Sequence, residues 1–222
     1  MREVYRHEET PQLHPGVSFP LVDALVRSDD TALVSGRGIK VCIDRAGPYP
    51  ARPKRACGTG TLTLLIKYTH PNVSVYGLDV DPRVLGIARR KAEQAGEAVV
   101  LQQGSATCLP YPGGTFERVF ASLMLHHLTQ EDKRLAIGEA FCVLKPGGEL
   151  HVADFCKPHD LSMWLISLVV RWVEEVHDNI LGLLPVFMAE AGFCPVEETV
   201  CYRTVSANLA LYRACKPTGE VL

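Results

Sequence analysis

The sequence lacks a strong charge of either sign, a close pair of cysteines and a long apolar run. Its 23 Lys and Arg residues and 25 Asp and Glu residues are interleaved and give a formal net charge of -2. Nothing in this balance favours a nucleic-acid groove. The longest apolar stretch, 161–170, is too short to span a bilayer, and the charged N-terminus does not resemble a secretory signal. We therefore expect a cytoplasmic protein with no nucleic-acid partner and no transmembrane segment.

Metal and disulfide sites are also disfavoured. The eight cysteines are widely spaced and contain no C-x-x-C pair, whereas zinc sites use close ligand pairs and disulfide scaffolds are usually short secreted chains. We expect reduced, buried thiols and no metal. The run Glu174, Glu175, His177 and Asp178 does not change this expectation, because adjacent residues on a helix diverge; we expect a solvated helix end there.

Helical and strand patterns alternate through most of the chain. The 222 residues suffice for one domain with a full core. Alternating strands and helices imply a mostly parallel sheet covered on both faces. We predict an α/β fold, a Rossmann-like three-layer sandwich with a mostly parallel seven-stranded sheet and an antiparallel edge hairpin. The predicted strands are 72–79, 98–104, 118–123 and 149–155, the predicted helices are 61–68, 81–96, 129–144, 160–176 and 178–191, "KPGG" (145–148) is a predicted turn, and 196–204 with 208–216 form the hairpin.

A glycine-rich turn, "ACGTGT" (56–61), leads into the first of these helices. It offers Gly58 and Gly60, but Thr63 occupies the place of the third glycine that a dinucleotide fingerprint needs for close helix–strand packing. Asp79 follows at a predicted strand end, where a carboxylate can accept hydrogen bonds from both ribose hydroxyls. A carboxylate at this distance from the glycine turn suits dinucleotides and other nucleoside cofactors alike, whereas Thr63 disfavours a nicotinamide-dependent oxidoreductase.

Four blocks, in this order, carry a resemblance to a known family: "ACGTGTLTLL", "VYGLDVDP", "LPYPGGTFERVFASLMLHHL" and "VLKPGGELHVADF". They resemble the class I S-adenosylmethionine-dependent methyltransferases over residues 54–216. The most similar subset contains the quinone-biosynthesis C-methyltransferases and related small-molecule enzymes. Residues 14–30 resemble the N-terminal segment of that subset, which lies over the active site. The resemblance implies a single domain over 1–222, with a cap segment at 1–35 and a cofactor-binding core at 56–216.

The resemblance also implies a set of sites for S-adenosylmethionine. The first three blocks and the segment between the second and the third would contribute residues to the cofactor site. Ala56, Gly58 and Gly60 would contact its methionine and ribose, Asp79 the ribose hydroxyls, Val80 the adenine, Ser105 and Ala106 the adenine edge, and Ala121 to Leu123 the floor beneath the sulfonium.

The sequence departs from the family pattern before and after the glycine turn. Lys54 stands where the family usually has a carboxylate near the cofactor's ammonium group, and Ser105 where it tends to have an aspartate that accepts from the adenine amine. The basic, proline-containing segment 48–55 is unsuited to a central strand, because proline cannot donate to a sheet ladder. Residues 38–44 can supply that strand, with 45–55 as an inserted loop and Asp44 as the missing carboxylate. A local change of reading frame at the gene level is the alternative.

The predicted activity is methyl transfer from S-adenosylmethionine to a small, hydrophobic acceptor. Displacement at an activated carbon needs alignment and exclusion of water, so a catalytic base is optional and none is assigned. The alternative is a catalytically impaired, methyltransferase-like binding or scaffold protein, suggested by Lys54 and Ser105. The sequence leaves the acceptor and the oligomeric state open. Four residues are candidate bases, His126, His127, Asp154 and His177, and three line the predicted acceptor pocket, His126, His127 and Trp164.

Overall fold

The computed structural model describes the backbone of residues 39–44 and all atoms of residues 60–158, 176–203 and 208–219. Strands and helices alternate along these ranges, and a single 3₁₀ turn, Leu125–His127, follows the fourth strand. The strands are β1 Ile39–Asp44, β2 Ser74–Asp79, β3 Val100–Gln103, β4 Phe116–Ser122, β5 Leu144–Phe155, β6 Val196–Arg203 and β7 Asn208–Cys215. The helices are α1 Thr61–Thr69, α2 Pro82–Ala95, α3 Gln130–Val143, α4 His177–Ile180 and α5 Leu184–Glu190.

The strands form one sheet in the order β3-β2-β1-β4-β5-β7-β6. The pairs from β3 through β5 are parallel, whereas β7 runs antiparallel to both β5 and β6. The predicted hairpin is thereby confirmed, as is the α/β class. The run 39–44 lies in the centre of the sheet, where Cys42 is in register with Gly77 on one side and with Phe120 on the other. The structure thus contains the central strand that segment 48–55 was unsuited to form.

Apolar side chains cover both faces of the sheet. Neighbouring residues of one strand point to opposite faces, and they fall into two separate clusters: Val119 and Val152 belong to the larger one, Phe120 and Ala153 to the smaller. Helix α1 contributes to the smaller cluster, α3 and α5 to the larger one. Helices therefore cover both faces, as a layered α/β fold requires.

Local sequence signals fix the ends of the longer helices. Asp81 accepts a hydrogen bond from the Arg83 N–H at 2.8 Å and caps α2, Pro82 is its first residue, and Gly96 ends it with a left-handed φ of 68°. Thr129 caps α3 in the same way through the Asp132 N–H at 3.2 Å. These are the ends that capping side chains and a terminal glycine predict.

A glycine in β2 provides the close helix–strand approach that the glycine turn lacks. A Cβ atom at Gly77 would lie 2.8 Å from Leu101 Cδ2 and 3.3 Å from Thr63 Oγ1. Thr63 itself is 1% exposed. The β-branched residue that replaces the third glycine therefore packs against a strand position with no side chain.

Two predicted elements differ from the structure. The predicted helix 178–191 is wrong as one element, because Gly182 adopts a left-handed φ of 74° and separates α4 from α5. The predicted turn "KPGG" is part of β5. Gly147 donates to the Lys216 carbonyl at 2.9 Å, and Lys216 donates to Gly148 at 2.8 Å, so the segment stays paired while the register to β4 shifts. Glycine residues here form a bulge rather than a chain reversal.

A buried imidazole lies on β5 beside charged neighbours. His151 Nε2 is 3.1 Å from Glu149 Oε2, and its ring stacks on Phe120 at 5.1 Å. Burial lowers the pKa of His151, although the nearby carboxylate opposes this effect. The hydrogen bond with His151 lowers the pKa of Glu149, and the nearby Arg118 and Arg213 add to that effect. Burial therefore favours the neutral form of the imidazole.

The six cysteines whose side chains the structure describes form no disulfide, and most of them are not buried. Cys108, Cys142, Cys194 and Cys201 are exposed, Cys215 is intermediate and Cys156 is buried. The expectation of buried thiols is wrong for the exposed four because they lie in turns, on a helix surface and on the edge strand β6. Among the described residues, no helix is long and apolar enough to cross a membrane.

Candidate functional site

A cleft opens at the edge of the sheet where parallel strands end. Strands β2, β3 and β4 all finish there, and ligands of open parallel sheets bind at such an edge. The volume of the cleft is about 140 Å³. Its lining combines apolar side chains with two carboxylates and two hydroxyls: Leu78, Asp79, Val80, Gly104, Ser105, Ala106, Thr107, Met124, Leu128 and Asp132.

Asp79 is the most firmly held of these polar side chains. It is 3% exposed at the end of β2, and its Oδ1 accepts the Asp81 N–H at 2.8 Å. Its carbonyl accepts the Gly104 N–H at 3.0 Å, which ties the end of β2 to the segment after β3. Val80, the next residue, is 44% exposed beside the cleft. A buried carboxylate in a fixed orientation suits a ligand with paired hydroxyl donors.

The segment after β3 forms a second wall of the cleft. Ser105 Oγ accepts the Thr107 N–H at 3.2 Å and lies 2.8 Å from Thr107 Oγ1. Ala106, between them, is buried. A hydroxyl has two acceptor sites and one donor, so these contacts leave Ser105 at most one lone pair for a ligand.

Gly60 is the N-cap of α1 and lies close to a neighbouring helix. Its φ is 75°, a left-handed conformation, and a Cβ atom there would lie 2.7 Å from the Ala88 Cβ of α2. Only glycine satisfies both conditions without strain. The predicted cofactor residues Ala56 and Gly58, the departure at Lys54 and the predicted pocket residue Trp164 lie outside the described residues.

A strained turn follows β4 and leads into the lining of the cleft. Leu123 has a φ of 48°, in the left-handed region that few non-glycine residues adopt. Its N–H donates to the Ala153 carbonyl at 2.8 Å. Met124, which follows it, is buried and lines the cleft. The strain therefore lies one residue before a side chain that lines the cleft, and backbone outliers tend to cluster near functional sites.

The carboxylate of Asp154, at the end of β5, fixes this turn by accepting hydrogen bonds from its main chain. Asp154 is 1% exposed, and its Oδ2 accepts the N–H of Leu125 at 2.8 Å, of Met124 at 3.2 Å and of His126 at 3.4 Å. A carboxylate that satisfies the first N–H groups of a helical turn is a capping group. The sequence suggested Asp154 as a candidate base, and the structure shows its carboxylate in a capping role.

The same carboxylate orients His126. Asp154 Oδ1 lies 2.7 Å from His126 Nδ1 and accepts from Asn179 Nδ2 at 3.2 Å. His126 is buried, and its ring centroid is 3.9 Å from that of His127, which is exposed. Of the candidate bases, the structure thus brings Asp154 and His126 into contact. His177 is exposed at the start of α4.

A buried ion pair joins α3 to α4 behind the site. Lys133 is fully buried, and its Nζ lies 3.1 Å from Asp178 Oδ2; Gln130 Nε2 donates to the other oxygen of that carboxylate at 3.3 Å. The expectation that Asp178 belongs to a solvated helix end is wrong, because this carboxylate compensates a buried ammonium. The sequence feature that indicates burial of Lys133 is its helical spacing to the buried Ala136, Ile137 and Ala140.

Sequence reasoning missed six residues that line the cleft: Leu78, Gly104, Thr107, Met124, Leu128 and Asp132. Met124 directly follows the end of a strand, and the rule that such sheets bind ligands at carboxyl strand ends would have found it. Asp132 lies in the first turn of a helix, where a carboxylate is expected for its interaction with the helix dipole alone. Within the part of the chain that the structure describes, no group of His, Cys, Asp or Glu residues is arranged to hold a metal ion.

Comparisons with known proteins agree with this geometry. Residues 55–148 match the family described as methyltransferase domain. A ubiquinone/menaquinone biosynthesis C-methyltransferase UbiE of Vibrio cholerae is 33% identical over 200 residues, which cover 78% of this chain and 75% of the relative. A demethylmenaquinone methyltransferase of Thermus thermophilus is 37% identical over 137 residues, 60% of this chain and 59% of the relative.

The chain spans 42% to 59% of the length of three demethylmenaquinone methyltransferases that it matches. Among solved structures, the YcgJ protein of Bacillus subtilis superposes with a TM-score of 0.67 at 15% identity, covering 90% of this chain and 99% of that one. A S-adenosylmethionine-dependent methyltransferase of Methanosarcina mazei superposes with a TM-score of 0.65 at 15% identity, covering 81% and 92%. These structural likenesses support the Rossmann-like fold.

Proposed function

The chain belongs to the class I S-adenosylmethionine-dependent methyltransferases, and on that premise we propose that it transfers a methyl group to a small, hydrophobic acceptor. The cofactor of this family is S-adenosylmethionine. The observation that carries the proposal is the cleft at the sheet edge, with the buried Asp79 carboxylate beside the apolar walls formed by Leu78 and Ala106. Family membership does not favour the alternative of an impaired scaffold protein.

The residues present fit the adenosine part of the cofactor. Asp79 would accept from the ribose hydroxyls through a carboxylate that its main-chain contacts already orient. Val80 and Ala106 would flank the adenine, with Ser105 at its edge. The remaining predicted contacts keep the same assignment: Ala56, Gly58 and Gly60 to the methionine and ribose, and Leu123 to the floor.

The position of β1 suggests how the departure at Lys54 is compensated. Asp44 is the last residue of this central strand and is in register with Ser122, the last residue of β4. We infer that Asp44 takes the place of the carboxylate that the family usually has before the glycine turn. Its position at the carboxyl end of the central strand supports this assignment, because the cofactor edge of the sheet lies there.

When bound, the cofactor supplies an activated methyl group on a positively charged sulfur. The chain mainly has to align an acceptor with that group and exclude water, so a strong catalytic base is optional. Asp154 contributes by fixing the turn that presents Met124 to the cleft. His126, His127 and Trp164 stay predictions for the acceptor pocket, with the His126 ring held by Asp154.

Relatives named for quinone biosynthesis support a hydrophobic, ring-containing acceptor. UbiE of Vibrio cholerae and the Thermus thermophilus enzyme both carry such names. We take a demethylated quinol as the first acceptor to test. We treat residues 1–222 as one domain with its core at 56–216 and a cap at 1–35, and the cytoplasmic location stays a prediction from the sequence.

The test is calorimetric titration of the full chain with S-adenosylhomocysteine, followed by transfer of labelled methyl from S-adenosylmethionine to a demethylated quinol. Asp79→Asn should weaken binding by about 10- to 100-fold, since it removes hydrogen bonds to a charged acceptor. Glu93→Gln, an exposed change on α2, is the matched control and should bind normally. Absence of binding by the unaltered chain at millimolar ligand would contradict the proposal.

A further inference from the structure

The second carboxylate of the cleft, Asp132, has no role in the assignments above. It lines the cleft together with Ala106, Thr107 and Leu128. It lies in the first turn of α3, the helix that follows β4. Asp79 lies at the end of β2, and β1 separates β2 from β4 in the sheet. The cleft therefore offers carboxylate acceptors from two separate elements. A ligand that uses both must carry hydrogen-bond donors at two places on an otherwise apolar body.

Local structure holds Asp132 in place. Thr129 Oγ1 accepts the Asp132 N–H at 3.2 Å and fixes the first turn of the helix. The next residue, Lys133, is anchored to Asp178. Side chains of a helix lean toward its N-terminus, which directs Asp132 back toward Leu128 and the cleft. A carboxylate on a rigid element of this kind can recognise a ligand group with defined geometry.

Competing acceptors in the same cleft are already engaged. The Ser105 and Thr107 hydroxyls bond to each other at 2.8 Å, and Ser105 also accepts the Thr107 N–H. Within the described residues, no side chain or main-chain N–H donates to the Asp132 carboxylate. Both of its oxygens are thus available on the described side of the cleft.

We propose that the Asp132 carboxylate accepts a hydrogen bond from the exocyclic amine of the adenine ring and selects an aminopurine nucleoside over an oxopurine one. This rests on the proposed function. Adenine carries a donor at the position where hypoxanthine carries a carbonyl oxygen. A carboxylate attracts the former and repels the latter, so one residue both stabilises the correct ligand and disfavours the wrong one. Asp132 thereby takes over the acceptor role for which Ser105 is poorly equipped.

The experiment measures two ligands against matched variants of the full chain. Calorimetry gives the dissociation constants of S-adenosylhomocysteine and of S-inosylhomocysteine, in which a carbonyl replaces the amine. The unaltered chain should prefer the adenosyl ligand by about 10- to 100-fold. Asp132→Asn should bring this ratio to about 1, because an amide can turn either group toward the base. Glu131→Gln removes the neighbouring exposed carboxylate of the same helical turn and should keep the full preference.

The outcomes separate this inference from the proposed function. Equal weakening of both ligands by Asp132→Asn, or an unaltered chain that binds both ligands equally well, would overturn the role of Asp132 and leave cofactor binding intact. An unaltered chain that binds neither ligand would overturn the proposed function itself. Circular dichroism checks that each variant is folded. Asp132→Ser serves as a second variant, because serine is tolerated in a first helical turn.

Discussion

Substitution of the buried Lys133–Asp178 pair tests how much this ion pair stabilises the packing of α4 against α3. Lys133→Met replaces the ammonium with an apolar chain of similar length and leaves the Asp178 carboxylate uncompensated behind the cleft. The side chain of Lys133 is 0% exposed and that of Asp178 12%. Solvent can therefore do little to screen the charge that remains.

The separation of 3.1 Å between the charged atoms sets the magnitude. At an effective dielectric constant of about 20, their attraction is roughly 5 kcal/mol. Desolvation offsets much of this energy in the intact pair, but removal of one partner exposes the penalty of the other, typically about 3–5 kcal/mol. For a chain of this size, about 1 kcal/mol corresponds to a shift of roughly 2–4 °C in Tm. The expected fall in Tm is therefore about 6–20 °C.

Thermal unfolding followed by circular dichroism measures this effect. Lys145→Met, which breaks the exposed pair with Glu117, is the matched control and should change stability by about 1 kcal/mol or less. The double variant Lys133→Met with Asp178→Leu should recover most of the loss, since apolar replacements of a buried pair are often neutral. If Lys133→Met unfolds at the same temperature as Lys145→Met, the ion pair does not brace the helices and the reasoning fails.

Two further predictions concern the glycine turn and the buried imidazole. Gly60→Ala should destabilise the chain by more than about 1–2 kcal/mol, because it adds the cost of a left-handed alanine to a contact of 2.7 Å with Ala88. Gly86→Ala is the control and should stabilise α2, because its added Cβ meets no atom within 4 Å. Equal denaturation midpoints for the two variants would contradict this prediction. Burial lowers the pKa of His151, so the unfolded chain takes up a proton first as the pH falls below about 6.5, and stability is lost with acidification. His151→Gln should therefore make the dependence of the unfolding free energy on pH shallower between about pH 6.5 and 5, by up to about 1.4 kcal/mol per pH unit. An unchanged slope would refute a neutral His151 in the folded chain.

Local signals predicted the parts of the fold that depend on neighbouring residues. Helix α2 begins at Pro82 after the Asp81 cap and ends before Gly96, as its capping pattern indicates. The end of β2 at Asp79 was predicted correctly as well. The glycines of "KPGG" misled the prediction, because glycine favours both turns and bulges, and pairing with Lys216 decided between them.

The parts that could not be predicted depend on residues far apart in the chain. Asp154 accepts from the main chain of residues 28–30 positions earlier. Lys133 and Asp178 are 45 positions apart. A charge in a sequence is most often solvated, so the local pattern assigned Asp178 to the surface. Only the packing of α4 against α3 turns this charge into a buried partner.

The central strand β1 has a consequence for how sequences of this kind can vary. Fifteen residues separate Asp44 from Gly60, whereas βα connections usually have about 2–6 residues. Lengthening a connection from about 4 to about 15 residues costs only roughly 1 kcal/mol of chain-closure entropy. Main-chain ladders on both sides of β1 fix its register without help from a short tether. The strand and the glycine turn are therefore separable units, and insertions between them are thermodynamically cheap.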